Sequence, residues 1–283
     1  MNKCIKYMFI LILVLVLILF VFKGKTKAPK ITLSGKGFAY TNDSPFYKDE
    51  YENIDGITRY WWSGNKFDYR RPAGGADINE LKNYNAFFLG PDQKILYLTF
   101  DEGSYQTYVN DIVDVLNRNG VKGTFFLCRN FIEVNKDLVK RIVESGHSIG
   151  NHTFHHLSMP NLANKENFKK FLEEIKEVEK VYKNITNKEI DKILRPPRGE
   201  WSFRMLQMLK DLNYKTYFYS ANYNDFSGLL TKEKALNEML KRYHNGAIYL
   251  IHPSNKGNYE ALESFIIQMK KQGYTFGLVK DIN

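Results

Sequence analysis

The chain has 283 residues, 43% hydrophobic and 25% charged, enough to bury a large core without disulfide staples and unlike a disordered or collagen-like sequence. Its net charge of +10 is unevenly placed: Lys3, Lys6, Lys23, Lys25, Lys27 and Lys30 fall in the first 30 residues with no acid among them, leaving +4 on the other 253, so a nucleic-acid partner is not expected. Cys4 and Cys128 are the only cysteines, and the apolar run between them argues against a disulfide framework.

Residues 7–22 (YMFILILVLVLILFVF) carry no charge. As a helix they span about 24 Å against a hydrocarbon core of ~30 Å, and the flanking lysines can snorkel across the difference. Residues 21–25 (VFKGK) lack the small residues of a cleavage site, and Cys4 precedes the apolar run, where a lipoprotein cysteine would not stand. The expectation is an uncleaved single-pass anchor in the cell membrane. The domain beyond it is placed on the extracytoplasmic side from the chemistry below, although four lysines after the span against two before it oppose that orientation. Residues 1–6 form a short tail and 23–36 a lysine-rich linker. Residues 37–93 read as an irregular collar, rich in Tyr, Trp, Asn and Gly, with turn signals at 42–45 (NDSP) and 71–75 (RPAGG).

From residue 94 to 283 strand and helix patterns alternate. Residues 95–100 (ILYLTF) are apolar and β-prone, and 108–119 has helical spacing at Val109, Ile112, Val113 and Leu116. Residues 123–128 (GTFFLC) read as a buried strand in which Cys128 is a packed thiol. Helices follow at 137–145 and 166–182, the second with Phe168, Phe171, Leu172, Ile175, Val178 and Tyr182 on one stripe and its lysines and glutamates on a solvated face. Strands at 192–194, 216–220, 247–251 and near 276 alternate with helices at 203–212, 232–243 and 259–272. Repeated βα units imply an α/β fold with a parallel sheet or a (β/α) barrel.

Five strands each end on ionisable or metal-binding groups: Asp101-Glu102-Gly103, then Asn151-His152-Thr153-Phe154-His155-His156, Arg195-Pro196-Pro197-Arg198-Gly199, Asp225-Phe226 and His252. In parallel α/β proteins the carboxyl ends of the strands converge, so one site is expected there. His152 and His156, four apart, can share a cation with a carboxylate as third ligand. Asp101 and Glu102 are adjacent in a strand and face opposite ways, so a bend at Gly103 is needed to bring both to one site.

These segments resemble the polysaccharide deacetylase family, the NodB-homology carbohydrate esterases, whose five motifs occur here in order: Thr99-Phe100-Asp101-Glu102-Gly103, His152-Thr153-Phe154-His155-His156, Arg195-Pro196-Pro197-Arg198-Gly199, Asp225-Phe226 and Leu250-Ile251-His252. Within the family, residues 79–90 (NELKNYNAFFLG) and 271–276 (KQGYTF) are similar to the sporulation-type enzymes that deacetylate muramic acid in peptidoglycan. The resemblance implies a distorted (β/α) barrel, with Asp101 as catalytic base, His252 as general acid, Arg195 fixing the base and Asp225 orienting His252. It also implies a divalent cation, zinc by preference, on Glu102, His152 and His156, with Phe226 and Leu250 against the substrate. The backbone N–H of Arg198, in a loop straightened by Pro196 and Pro197, is the candidate oxyanion donor. Glu102 departs from the family's usual Asp and Phe226 from its usual Trp.

The function expected is removal of the N-acetyl group from N-acetylmuramic acid in peptidoglycan glycan strands, leading to muramic δ-lactam in the spore cortex. The alternatives are a membrane-anchored glycan-binding module without catalysis and an O-acetyl esterase on another polysaccharide. Because Asp101 and His252 stand at strand ends, replacing either is expected to leave stability nearly unchanged.

Overall fold

A computed structural model describes residues 46–64, 67–103 and 108–283. The apolar segment 7–22, the linker 23–36, Cys4 and the start of the collar lie outside the described residues. Among the described residues no helix is long and apolar enough to cross a membrane.

The elements in chain order are β1 (Arg59–Tyr60), α1 (Ile78–Asn83), β2 (Ala86–Phe87), β3 (Ile95–Glu102), α2 (Val109–Arg118), β4 (Thr124–Leu127), α3 (Arg129–Val134), α4 (Lys136–Glu144), β5 (Ser148–Asn151), α5 (Met159–Leu162) and α6 (Phe168–Thr186). There follow β6 (Ile193–Leu194), β7 (Glu200–Trp201), α7 (Phe203–Asp211), β8 (Lys215–Tyr217), α8 (Lys232–Leu240), β9 (Ile248–Ile251), α9 (Lys256–Lys271) and β10 (Thr275–Phe276). Ser202, Thr231 and Asn255 begin α7, α8 and α9 by accepting a first-turn backbone N–H on their side chains, the local reason those helices start where they do.

The main sheet is parallel and runs β2-β8-β6-β5-β4-β3, with β10 beside the start of β3 and β9 further along it. The bridge Ala221↔Tyr249 links the chain beyond β8 to β9, which curls the sheet back toward β3 as the expected barrel requires. The strands are buried on both faces, as parallel strands covered by helices must be. The collar is less irregular than its composition implies: β2 belongs to the main sheet and β1 pairs antiparallel with β7.

Inside the curl, Phe87, Tyr97, Phe126, Ile193, Tyr217, Ile248, Val279 and Ile282 form one cluster. Gly150 makes room for it, because a Cβ there would stand 2.7 Å from Phe126 Cδ1 and 2.8 Å from Ile193 Cγ1. The C-terminal segment supplies Val279 and Ile282; the Val279 N–H donates to Thr124 Oγ1 (3.4 Å) and the Ile282 carbonyl accepts from Lys215 Nζ (2.7 Å). Thr124 and Lys215 begin their strands, so this segment packs at the amino ends of the strands. The polar strand ends lie opposite, at the carboxyl ends.

Candidate active site

The site is built around a buried guanidinium. Arg195 leaves the end of β6 with its side chain 3% exposed, and its Nη1 donates to Asp101 Oδ1 and to Thr99 Oγ1, both at 2.7 Å. Its Nε and Nη2 donate to the carbonyls of Tyr217 (3.1 Å) and Phe218 (3.2 Å), and its guanidinium carbon lies 4.4 Å from the centre of the Phe126 ring. Three strands thus fix one cation against one carboxylate. Burial alone pushes the Asp101 carboxyl up, but Arg195, helped by His152 and His252, holds it below the ordinary carboxylate range.

A second pair stands at the end of β9. Asp225, fully buried, accepts from His252 twice, through the ring Nδ1–H at Oδ1 (2.7 Å) and the backbone N–H at Oδ2 (2.7 Å). Asn258 Nδ2 also donates to Asp225 Oδ2 (2.7 Å), and Asn255 Nδ2 to the Asp225 carbonyl (3.1 Å). Burial works against a charged imidazole, but the bond to Asp225 and the charges of Asp225, Asp101 and Glu102 hold the His252 pKa above its ordinary value. With Nδ1 tied to Asp225, Nε2 is the nitrogen left for chemistry. Phe226 is 73% exposed and sets its ring edge-on to His252 at 5.9 Å. Leu250 is half-buried in β9, opposite Thr99 of β3.

The histidine loop after β5 is held in an unusual backbone. Thr153 (φ 69°) and His156 (φ 58°) are both left-handed, a costly conformation for a β-branched residue. Asn151 Oδ1 accepts from the Thr153 N–H (2.8 Å), and Thr153 Oγ1 accepts from the His156 N–H (3.2 Å). His155 is clamped by the buried Glu174 carboxylate, which accepts its backbone N–H (2.8 Å) and meets its Nδ1 (2.6 Å). Glu174 lies on α6, so the expectation that the glutamates of this helix form a solvated face is corrected. At this one position the buried stripe carries a carboxylate, because the adjoining loop has donors to satisfy.

His152 and His156 meet, with ring centres 5.0 Å apart. His152 Nδ1 bonds the Arg195 carbonyl (2.8 Å), and its Nε2 lies 3.9 Å from Asp101 Oδ2. Burial lowers both imidazole pKa values, that of His156 to about 4 with the charges of His152 and Arg198 adding to it, so both rings are neutral near pH 7 with lone pairs available. Glu102 is different. It is the last residue of β3, next to Asp101, and its Oε1 is buried with no hydrogen-bond partner. Burial, with Asp101 adding to it, pushes its carboxyl up to about 7. Among the described residues no three His, Cys, Asp or Glu side chains converge closely enough to enclose an ion. The donor chemistry nevertheless fits a divalent cation, since two neutral imidazoles face each other and a buried carboxylate oxygen lacks a partner.

The loop after Arg195 is not straightened by its prolines. Pro197, Arg198 and Gly199 form a tight turn in which Arg198 (φ 59°) and Gly199 (φ 66°) are both left-handed. The half-exposed Arg198 side chain donates through Nη2 to the His156 carbonyl (3.3 Å). Tyr219, which the sequence did not single out, borders the same region: its hydroxyl lies 3.7 Å from where a Cβ on Gly199 would stand, and it feels the charges of Arg195 and Asp101. Cys128 is a packed thiol, as read from its strand, with Sγ 3.1 Å from the His152 carbonyl.

Five strand-end loops of a curled parallel sheet, carrying an Asp–Arg pair, an Asp–His pair and a histidine pair, are the architecture of a carbohydrate deacetylase. The chain belongs to the polysaccharide deacetylase family, whose model matches residues 89–217, and is accordingly a hydrolase. PdaA, a peptidoglycan-N-acetylmuramic acid deacetylase of Bacillus subtilis, is 40% identical over 227 residues, 78% of this chain and 84% of its own length. The solved structure of Bacillus subtilis PdaA, a family 4 carbohydrate esterase, matches with a TM-score of 0.76 at 35% identity over 80% of this chain and 97% of that one. A peptidoglycan-N-acetylglucosamine deacetylase of Bacillus cereus is 32% identical over 248 residues, 84% of this chain and 87% of its own length.

Proposed function

We propose that this protein removes the acetyl group from N-acetylmuramic acid in peptidoglycan glycan strands, tethered outside the membrane by residues 7–22. The observation that carries the reaction is two charge pairs at one rim, Arg195 Nη1 on Asp101 Oδ1 and His252 Nδ1 on Asp225 Oδ1, both at 2.7 Å; the first holds the Asp101 carboxyl below its ordinary range and the second helps hold the His252 pKa above its own. The ionised Asp101 takes the proton of the attacking water. His252 gives the proton on Nε2 to the departing nitrogen, while Nδ1 stays on Asp225. His152 and His156, with a carboxylate from Glu102, would hold a divalent cation, zinc by preference. When bound it supplies Lewis acidity to the water and the amide carbonyl. Tyr219 and Phe226 border the reacting amide.

Muramic acid is favoured over glucosamine by the half-exposed Arg198 guanidinium, anchored on the His156 carbonyl, because the muramic lactyl group presents a carboxylate for it to read. The relative named for N-acetylmuramic acid also shares the higher identity of the two curated ones described above. Once the peptide is stripped, the freed amine can be captured by that lactyl carboxyl, since proximity makes the ring closure fast, giving muramic δ-lactam in spore cortex. Mass spectrometry of peptide-stripped glycan strands incubated with the protein, with and without zinc or chelator, tests this. The expected products are muramic lactam and acetate, lost with chelator and reduced at least about a hundredfold by Asp101→Asn or His252→Ala. Glucosamine deacetylation without lactam would move the substrate one sugar along the strand.

A further inference from the structure

The collar brings two aromatic side chains to the rim of this site. Across β1 and its continuation exposure alternates, with Tyr60 68% exposed, Trp61 5% and Trp62 55%. Trp61 faces the core: its Nε1–H donates to the Tyr219 carbonyl (2.9 Å) and its ring stacks on Phe218 at 4.1 Å. Tyr60 and Trp62 therefore share the opposite face.

That face continues into the active site. Tyr60 is paired directly with Glu200 of β7, so their side chains stand together on one side of the ribbon. The Glu200 carboxylate lies 4.0 Å from the Arg198 guanidinium, which in turn donates to the His156 carbonyl. Arg198 thus joins the histidine loop to Glu200, and the pairing of β1 with β7 sets Tyr60 opposite Glu200, with Trp62 one pleat beyond. The indole spans two glycines: a Cβ on Gly64 would stand 3.3 Å from Cζ3 at its benzo end, and one on Gly75 would stand 3.6 Å from Cδ1 at its pyrrole end. Bare backbone supports the ring, and more than half of the side chain remains in solvent.

We infer that Tyr60 and Trp62 form a subsite for the neighbouring pyranose of the same glycan strand, whose apolar C–H face stacks on the indole while the reacting sugar occupies the catalytic centre. A polymer deacetylated within its length must lay its next residue on the surface beside the reacting one, and this surface adjoins the centre through Arg198. The inference rests on the proposed activity toward glycan strands.

The test compares kcat/KM on long peptide-stripped strands and on a disaccharide. The wild type is expected to prefer long strands. Trp62→Leu, which keeps an apolar side chain but removes the aromatic face, is expected to lower that preference about tenfold through KM, while Trp62→Phe restores most of it. Phe46→Leu, at another exposed aromatic outside the β1 ribbon, serves as the control. Equal losses on both substrates, or an unaltered preference in Trp62→Leu, would overturn the subsite. A binding arm is independent of turnover: Asp101→Asn protein is expected to be retained on insoluble peptide-stripped strands, and the double variant with Trp62→Leu to elute early. Undiminished retention of the double variant refutes the subsite, as does a Trp62→Leu effect confined to self-association. A wild type inactive on every length counts against the proposed activity, and the retention measurement still decides the subsite.

Discussion

Asp101 and Glu102 are adjacent carboxylates of similar burial, yet removing their charges should change stability in opposite directions. Asp101 forms a buried pair with Arg195. Loss of one partner of such a pair costs about 3–5 kcal/mol, and Asn, which keeps an acceptor for Nη1, brings this to roughly 2–3 kcal/mol. At 2–4 °C per kcal/mol for a domain of this size, Asp101→Asn should lower Tm by roughly 5–10 °C. Stability at Asp101 is therefore not the negligible matter its strand-end position implies, because the strand end is packed against a cation. Glu102 has a buried oxygen without a partner and a carboxyl pushed up from 4.5 to about 7. Its folded form holds the proton more tightly than the unfolded chain, so stability of chelator-treated protein falls as pH rises from 4.5 to 7 and stays reduced above that. At pH 8 the ionised group costs on the order of 3 kcal/mol, which Glu102→Gln removes. Thermal unfolding of chelator-treated variants at pH 5 and pH 8 reads both effects. Asp101→Asn should melt below wild type at both pH values, and Glu102→Gln above wild type at pH 8 by several degrees more than at pH 5. Shifts of the same sign at pH 8 would refute this account of the two carboxylates.

Glu174→Ala strips both acceptors from His155 and frees the left-handed loop. Zinc affinity by calorimetry should fall about 10–100-fold, the usual loss for a group that orients metal ligands, with faster amide exchange at 153–156; unchanged affinity and exchange would show that the clamp is dispensable. Gly150→Ala drives a Cβ into Phe126 and Ile193 and should cost about 1–3 kcal/mol in urea unfolding, unless the interior can yield. His147 accepts the Gly123 N–H on Nδ1 (3.1 Å) and is buried, so desolvation, with Lys122 and Arg141, lowers its pKa to about 4. The unfolded chain binds this proton between pH 6.5 and 4 while the folded chain does not, so this contribution weakens as pH falls. The stability gap between wild type and His147→Asn should accordingly narrow by about 2 kcal/mol from pH 7 to pH 5, and a constant gap would contradict the depressed pKa.

Much of the protein was legible from residue order alone. Alternation of short apolar runs with helical stripes defined the βα repeat, and polar groups at five strand ends located the site, because parallel strands deliver their carboxyl ends to one rim whatever the helices between them contain. Asp101, Arg195, Asp225, His252, His152 and His156 are local features of this kind. What only tertiary structure decided is which of them touch. Glu174 lies 19 residues beyond His155 and looks like any helical glutamate until α6 is laid against the loop. Asn258 and Tyr219 carry no signal in their own segments. Ala86–Phe87 is too short to announce a strand and becomes one only because β8 offers an open edge. The left-handed turn at Arg198 was misread because the two prolines constrain themselves and the residues before them, whereas the conformation after them is set by what Arg198 and Gly199 pack against. Spacing along a chain fixes periodicity and so which face a residue shares; burial, charge pairing and strain depend on neighbours distant in sequence, and those the packed, curled sheet alone supplies.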